Sequence, residues 1–295
     1  FCEETGNMFL YLKIGWRNLL KNYRRSVKTI LTIVIGLSAC LLAQGFMSHT
    51  LWGLRESLIN GGLGHIQIYR SGYLEHTKDI IKELKDVPGT KLVAPRLTFQ
   101  GIISAGEKST VFTGTAGFPK EERLINTYAT LKDGSFLKDD KPFGIVIGSG
   151  LARKLKVGVG DTVTLMSTMK GGGINALDME VTGIIEVQIK AYNDVVLLAD
   201  LETIQTLVDQ PNSVDRIILL IKRTENLSKI GPFIKKLCSR MNLEYRDWPT
   251  LAGVQYSQPQ LFYNLLYVLI MSIIVLVVIF SITNTLNLSM QERIR

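Results

Sequence analysis

Cysteine is scarce in this chain and badly placed for pairing. There are three: Cys2 near the start, Cys40 inside a long apolar run, and Cys238. No disulfide framework can be built from them, so the folded part must be held together by its core. Histidine is as scarce. His49, His65 and His76 show no metal-ligand spacing, and His65 in HIQIY reads as a strand residue. The motifs of nucleotide chemistry are absent too. Gly171-Gly172-Gly173 lacks the Lys and Ser/Thr of a phosphate-cradling loop and reads as a loop tip. No Ser sits in a G-x-S-x-G turn; Gly148-Ser149-Gly150 is the nearest and reads as a helix start. Asp139-Asp140 and Glu121-Glu122 read as solvated loop faces. Together these absences argue against an enzyme, and no cofactor or metal site is expected in the chain.

Charge is missing over two long stretches. None falls between Asp247 and Glu292, and none between Lys28 and Arg55. Within the first gap, Leu261 to Met290 reads LFYNLLYVLIMSIIVLVVIFSITNTLNLSM, 30 residues. A helix rises about 1.5 Å per residue, so roughly 20 residues cover the ~30 Å hydrocarbon core of a bilayer. In lipid the backbone must satisfy its own polar groups, which makes helix the natural reading. A buried helix of a soluble core is the competing reading, but soluble helices of this length carry charges. Residues 27–54 form the other span. Its Gly36, Ser38, Ala39, Ala43 and Gly45 are small, as on a face where helices approach closely in lipid.

The basic excess sits largely at the ends of these spans. Lys13, Arg17, Lys21, Arg24, Arg25 and Lys28 precede the first, and Arg293 and Arg295 follow the second. The other flanks offer Arg55 and Arg246 alone. Lys and Arg accumulate on the cytoplasmic side, so both termini are expected inside and the intervening ~200 residues outside. The net charge of +8 thus does not signal nucleic acid. Residues 1–28 carry +4 of it and 261–295 carry +1, a juxtamembrane excess that orients the protein and meets anionic membrane lipid.

Residues 1–7, FCEETGN, are set aside, Met8 being a natural start. Residues 8–26 place Phe9, Leu12, Trp16, Leu19 and Leu20 on one side and basic residues on another, which predicts an amphipathic helix on the cytoplasmic face. The apolar run behind it is too long for a secretory signal peptide. Gly61, Gly62 and Gly64 then break the first long helix. Strands are expected over His65–Tyr69, Lys91–Ser104, Thr110–Gly114, Phe143–Ile147, Thr162–Met166, Met179–Val187, Val195–Leu198 and Val214–Lys222. Gly160-Asp161 reads as the turn ahead of Thr162. Helices are expected over Thr77–Asp86, after Ser149 and after Asp200 as caps, and over Leu227–Met241. The outer domain, 60–250, is therefore α+β.

This order of segments resembles the permease subunits of MacB/FtsX-type ABC transporters, including the lipoprotein-releasing LolC/LolE subunits. LGHIQIY (63–69), KLVAPRLTFQGIIS (91–104), VFTGT (111–115) and MEVTGIIEV (179–187) look like family strands. GIVIGSGLARKLKVGVGDTVTL (144–165) is the most specific match. The resemblance covers residues 8–295. It implies a MacB-like periplasmic domain with an insert subdomain at about 121–211, and a multi-pass protein of the inner membrane. It also implies two further transmembrane helices after Arg295, and a cytoplasmic coupling segment beginning at 291–295, with Gln291, Glu292 and Arg293 meeting a separate ATPase subunit that binds ATP and Mg. Mechanotransmission is the implied mechanism: hydrolysis inside moves the outer domain, for lipoprotein release or a related export task. A second permease copy or paralogue and a lipoprotein or periplasmic partner are implied with it. The rival reading is a two-span membrane sensor with an extracytoplasmic ligand-binding domain, which shares the topology but needs a signalling domain after Arg295.

Overall fold

The computed structural model describes residue 17 and residues 23–74, 77–187 and 190–294. Lys13, Lys21 and His76 lie outside the described residues, as do the side chains of Arg24, Arg25, Gln291, Glu292 and Arg293; Arg17 and Lys28 are exposed. The chain divides into two compact units, Phe1–Gly53 with Ser257–Arg295, and Leu54–Tyr256.

Two helices run through the first unit, α1 (Tyr23–Asn60) and α9 (Val254–Ile294). Each holds a 31-residue stretch, Ile30–Asn60 and Val254–Asn284, long and apolar enough to cross a membrane. Their large apolar side chains face outward: Leu42 is 75% exposed and Phe280 72%. Both helices outrun the apolar windows read from sequence, and α9 takes in Pro259. The helices approach closely at Gly36, where a Cβ would lie 3.2 Å from Ile274 Cγ2. Gly45, expected on the same small-residue face, has open space beside it.

The second unit is built on ten strands. They are β1 (Ile66–Leu74), β2 (Thr90–Ala105), β3 (Lys108–Gly117), β4 (Thr130–Gly134) and β5 (Gly144–Gly148). The rest are β6 (Thr162–Thr168), β7 (Ile174–Glu186), β8 (Val196–Asp200), β9 (Val214–Ile221) and β10 (Glu244–Asp247). Six of them close a ring, β2–β3–β8–β5–β7–β6 and back to β2. Residues 121–211 supply four of the six, and β2 with β3 supply the others. Closure brings β6 hard against β2: a Cβ on Gly101 would lie 1.9 Å from Met166 O, so only glycine fits there. Phe99 and Phe112 pack edge to face with centroids 5.3 Å apart. The first half of β2 leaves the ring and joins an antiparallel wing, β2–β9–β1–β10.

The wing has two apolar faces because its strands alternate. Val93, Leu97, Ile217, Leu219 and Ile221 face one core, shared with α2 (Thr77–Lys85) and α7 (Leu227–Arg240) through Leu84, Ile234 and Cys238. Ala94, Ile218 and Leu220 face the other. Shorter helices complete the unit: α3 (Pro119–Ile125), α4 (Ser149–Leu155), α5 (Lys190–Asn193), α6 (Leu201–Leu207) and α8 (Trp248–Ala252). Asp200 caps α6 as expected, its carboxylate accepting the Thr203 N–H at 3.1 Å. Ser149 does not cap α4. Gly148 holds the cap position and Ser149 is the first helical residue, its buried Oγ without a hydrogen-bond partner among the described residues. The backbone runs so close to Asn193 that a Cβ at 148 would sit 2.3 Å from its carbonyl oxygen, which reserves that position for glycine.

Candidate functional site

The residues with the most constrained chemistry gather where the chain leaves α1 and enters the sheet. The last turn of α1 ends in a glycine-rich exit. The N–H of Leu63 donates to Leu58 O and that of Gly64 to Ile59 O, at 3.3 and 2.8 Å. Gly62 and Gly64 have φ of +117° and +70°, the left-handed region in which a side chain is strained. At Gly64 space is lacking as well, since a Cβ would lie 2.3 Å from Ile218 Cγ2.

Arg96 holds this exit to the sheet. Its guanidinium grips Glu122 with two parallel hydrogen bonds, Nε to Oε1 at 2.5 Å and Nη2 to Oε2 at 2.7 Å. Its third arm, Nη1, donates to the carbonyl oxygen of Gly62 at 2.7 Å. Asn126 completes the network by donating from Nδ2 to Glu122 Oε2 and Glu122 O. The two charged side chains are 6% and 3% exposed, so the pair is desolvated and its donors and acceptors are matched. Gly117 makes room for it: a Cβ there would lie 2.3 Å from Glu122 Oε1. Glu121 and Glu122 were expected on a solvated face. For Glu122 the structure corrects this, because α3 turns its carboxylate inward onto a cation in the middle of a buried strand. The signal was Arg96 itself, a charge inside VAPRLTF that had to find a counterion.

His65, the first residue after the exit, is buried. Its Nδ1 accepts the Ile221 N–H at 3.2 Å, so the proton sits on Nε2, which lies 3.0 Å from Thr224 Oγ1. Burial first, then the charges of Arg55 and Lys91, lower its pKa to about 4, against a smaller raising effect of Glu225. The imidazole is a neutral structural link. The backbone carbonyl of His65 accepts the Trp248 N–H at 2.9 Å, tying the exit from α1 to α8.

An apolar cluster surrounds these polar ties. Leu58, Ile59, Ala94, Ile125, Ile218, Leu220, Trp248 and Ala252 pack together, with Tyr256 edge-on to Trp248 at 4.9 Å. Asp247 caps α8, accepting from the N–H and hydroxyl of Thr250. The end of α1 and the beginning of α9 are thereby fixed to the same face of the wing. Beside the cluster lies a cavity of about 280 Å³, bordered by Arg96, Asn126, Tyr128, Leu198 and Gln255. Among the described residues no group of three or more His, Cys, Asp or Glu is arranged to hold a metal ion. The side chains of Arg96, Glu122 and Asn126 are bonded chiefly to one another and to the carbonyl of Gly62, so the arrangement ties the exit from α1 to β2 and α3.

The sequence-predicted residues fall elsewhere. Gln291, Glu292 and Arg293 belong to the last turns of α9, whose backbone is helical to Ile294. Arg96, Asn126 and Trp248 were not singled out from sequence, and Glu122 was read there as part of a solvated loop face.

Comparison with known proteins adds the following. The model of a family described as the MacB-like periplasmic core domain matches residues 26–233. The lipoprotein-releasing system transmembrane protein LolE of Haemophilus influenzae is 23% identical over 232 residues, covering 75% of this chain and 54% of that protein. LolC of Neisseria meningitidis serogroup B is 22% identical over 306 residues, covering 99% of this chain and 72% of that one. The chain thus spans about half the length of the LolE relative. Among solved structures, the periplasmic region of MacB from Actinobacillus actinomycetemcomitans aligns with a TM-score of 0.49 at 14% identity, over 68% of this chain and 95% of that one. The extracellular domain of the noncanonical ABC-type transporter YknZ from Gram-positive bacteria aligns with a TM-score of 0.47 at 15% identity, over 62% and 98%.

Proposed function

From the premise that this chain belongs to the MacB-like periplasmic core domain family, as a permease subunit of the MacB/FtsX type related to LolC and LolE, we propose that it converts ATP hydrolysis by a separate cytoplasmic subunit into movement of its outer domain. In this reading α1 and α9 cross the inner membrane, the residues around Gln291, Glu292 and Arg293 meet the ATPase subunit, and residues 54–256 work outside. Lys13, Arg17, Lys21, Arg24, Arg25 and Lys28 orient the first span. The task served is lipoprotein release or a related export, and a second permease, identical or paralogous, completes the assembly.

One observation carries the reading. The ends of both long apolar helices are bound to one face of the outer sheet through a buried ion pair, a backbone tie and a shared apolar cluster. Such a joint passes on a helix displacement, because packed interiors shift between discrete arrangements and do not yield smoothly.

The test is to loosen the joint without unfolding it. Two glycines inserted between Gly61 and Gly62 free the exit while leaving both helices and the sheet intact. In the full-length protein with its ATPase subunit, hydrolysis is expected to continue while outer-domain movement, followed by spin-label distances, and export are lost. Export at the unmodified rate would refute the coupling role of this joint.

A further inference from the structure

On the wing face away from the α1 exit, α2 and α7 lie side by side, joined by an ion pair from Arg240 Nη2 to Glu83 Oε2 at 3.0 Å. Gly89 fits beneath α7 only because it lacks a side chain, a Cβ there meeting Ile230 Cδ1 at 2.6 Å. The inner side of α7 buries Gly231, Ile234 and Cys238. Its outer side, at helical spacing, presents Lys229, Phe233, Lys236 and Arg240, all exposed.

The charge on this face is lopsided. Residues 77–86 and 222–240 hold nine Lys and Arg against four Asp and Glu. The rest of 54–256 holds seventeen against nineteen. The whole positive balance of the outer domain is therefore concentrated here. Among the described residues, Arg240 is the one cation of the nine in an ion pair. Lys78, Lys82, Lys85, Lys222, Arg223, Lys229, Lys235 and Lys236 are all exposed. In the middle of this field Phe233 is 58% exposed, an aromatic side chain left in water among cations. Next to the far end of α2 a recess of about 730 Å³ opens between Lys78, Ile81, Phe118 and Leu201.

We propose that the α2–α7 face is a docking surface for a soluble protein whose own surface is acidic around an apolar pocket that takes Phe233. An exposed aromatic anchor ringed by charge is the anatomy of a protein interface, in which the ring supplies burial energy and the charges supply steering and register. Charge complementarity fixes the sign of the partner. Its class follows from the make-up of the face: Leu58 and Ile59 pack on the opposite face of the same strands, so the apolar cluster lies elsewhere, and one aromatic ring among hydrated charges suits a folded, water-soluble partner. This proposal goes beyond the coupling reading and needs no ATP, so the failure of one leaves the other standing.

The experiment places a photo-crosslinker in the full-length protein in its native membrane, by Phe233→benzoylphenylalanine, and reads the adduct by mass spectrometry. The expected adduct is a peptide of a different, soluble polypeptide with an excess of Asp and Glu. Its yield is expected to fall about tenfold with Lys229→Glu/Lys236→Glu, and to fall in roughly 0.5 M salt, where exposed charges are screened. Lys138→Glu, exposed and outside this face, should leave the yield unchanged. The crosslinked protein, once purified, should bind the double variant about tenfold more weakly than the wild type. A lipid adduct, an adduct with a second copy of this chain, no adduct, or a yield indifferent to charge reversal would each overturn the proposal.

Discussion

Arg96 shows how one side chain can hold three separate pieces of chain. Its partners are Glu122 on α3 and the carbonyl of Gly62, and Asn126 braces the carboxylate. Glu122→Ala leaves a buried guanidinium without its counterion, so the melting of the full chain in detergent should report a loss of about 3–5 kcal/mol. Arg96→Met with Glu122→Leu removes both charges, and such replacements are often neutral or stabilising. That double variant is expected to melt within about 1 kcal/mol of wild type yet couple poorly, because Gly62 has lost its tie. If it couples normally, the network serves stability alone. His65 gives the pH counterpart. Its folded pKa of about 4 lies below the ordinary 6.5, so protons favour the unfolded chain. The neutral imidazole contributes its full stability above about pH 6.5 and loses it as pH falls toward 4. His65→Gln should flatten this part of the stability profile, and an unchanged slope would assign the acid sensitivity to other groups.

At the scale of elements, the exit from α1 is set by backbone space as much as by contacts. Gly64→Ala combines a left-handed φ with a 2.3 Å approach to Ile218, and is expected to cost about 2 kcal/mol or more, read as a lower melting temperature. Ile59→Ala, at a fully buried position of the neighbouring cluster, should cost about 2–5 kcal/mol. The alternation of HIQIY and the long apolar runs of β2 and β9 made those strands legible, because a buried face imposes its period on the sequence. β4, TLKDG, is exposed throughout, and β10, EYRD, is a short sheet edge; neither carries a period, and hydrogen bonds to β7 and β1 place them. The ring was hidden for a related reason. It closes through a pairing of β2 with β6, which meet with Gly101 opposite Ser167, and a glycine in a strand does not announce the strand that will cross it. Glu122 was misread because its partner lies 26 residues away on another element, beyond any local pattern. Pro259 lies a few residues inside α9, where its missing N–H marks a point at which the helix can bend near the joint.

At the scale of the whole molecule, the proposed topology and coupling are tested from opposite ends. Gly171→Cys puts a thiol on an exposed loop without the left-handed φ of Gly172, and Cys238, buried with its pKa pushed up to about 11, stays silent. With Cys2 and Cys40 replaced by Ser, a membrane-impermeant thiol reagent should label intact spheroplasts; labelling confined to inside-out vesicles would invert the topology. The other end is the last turns of α9, where a long apolar helix meets Glu292 and Arg293. Two roles compete there. As membrane anchors, these residues matter through the Lys and Arg count alone, which neither Glu292→Gln nor Arg293→Lys changes. As a contact with the ATPase subunit, they matter through geometry: Arg293→Lys loses the planar fork that grips a carboxylate, and Glu292→Gln loses the charge that attracts a cation. Both variants are therefore expected to insert normally while copurifying less ATPase subunit, or hydrolysing ATP without substrate stimulation. The chain alone should hydrolyse none, because it lacks a phosphate-cradling motif. Wild-type copurification and stimulation in both variants would leave these two residues as anchors and move the coupling contact to another part of the permease.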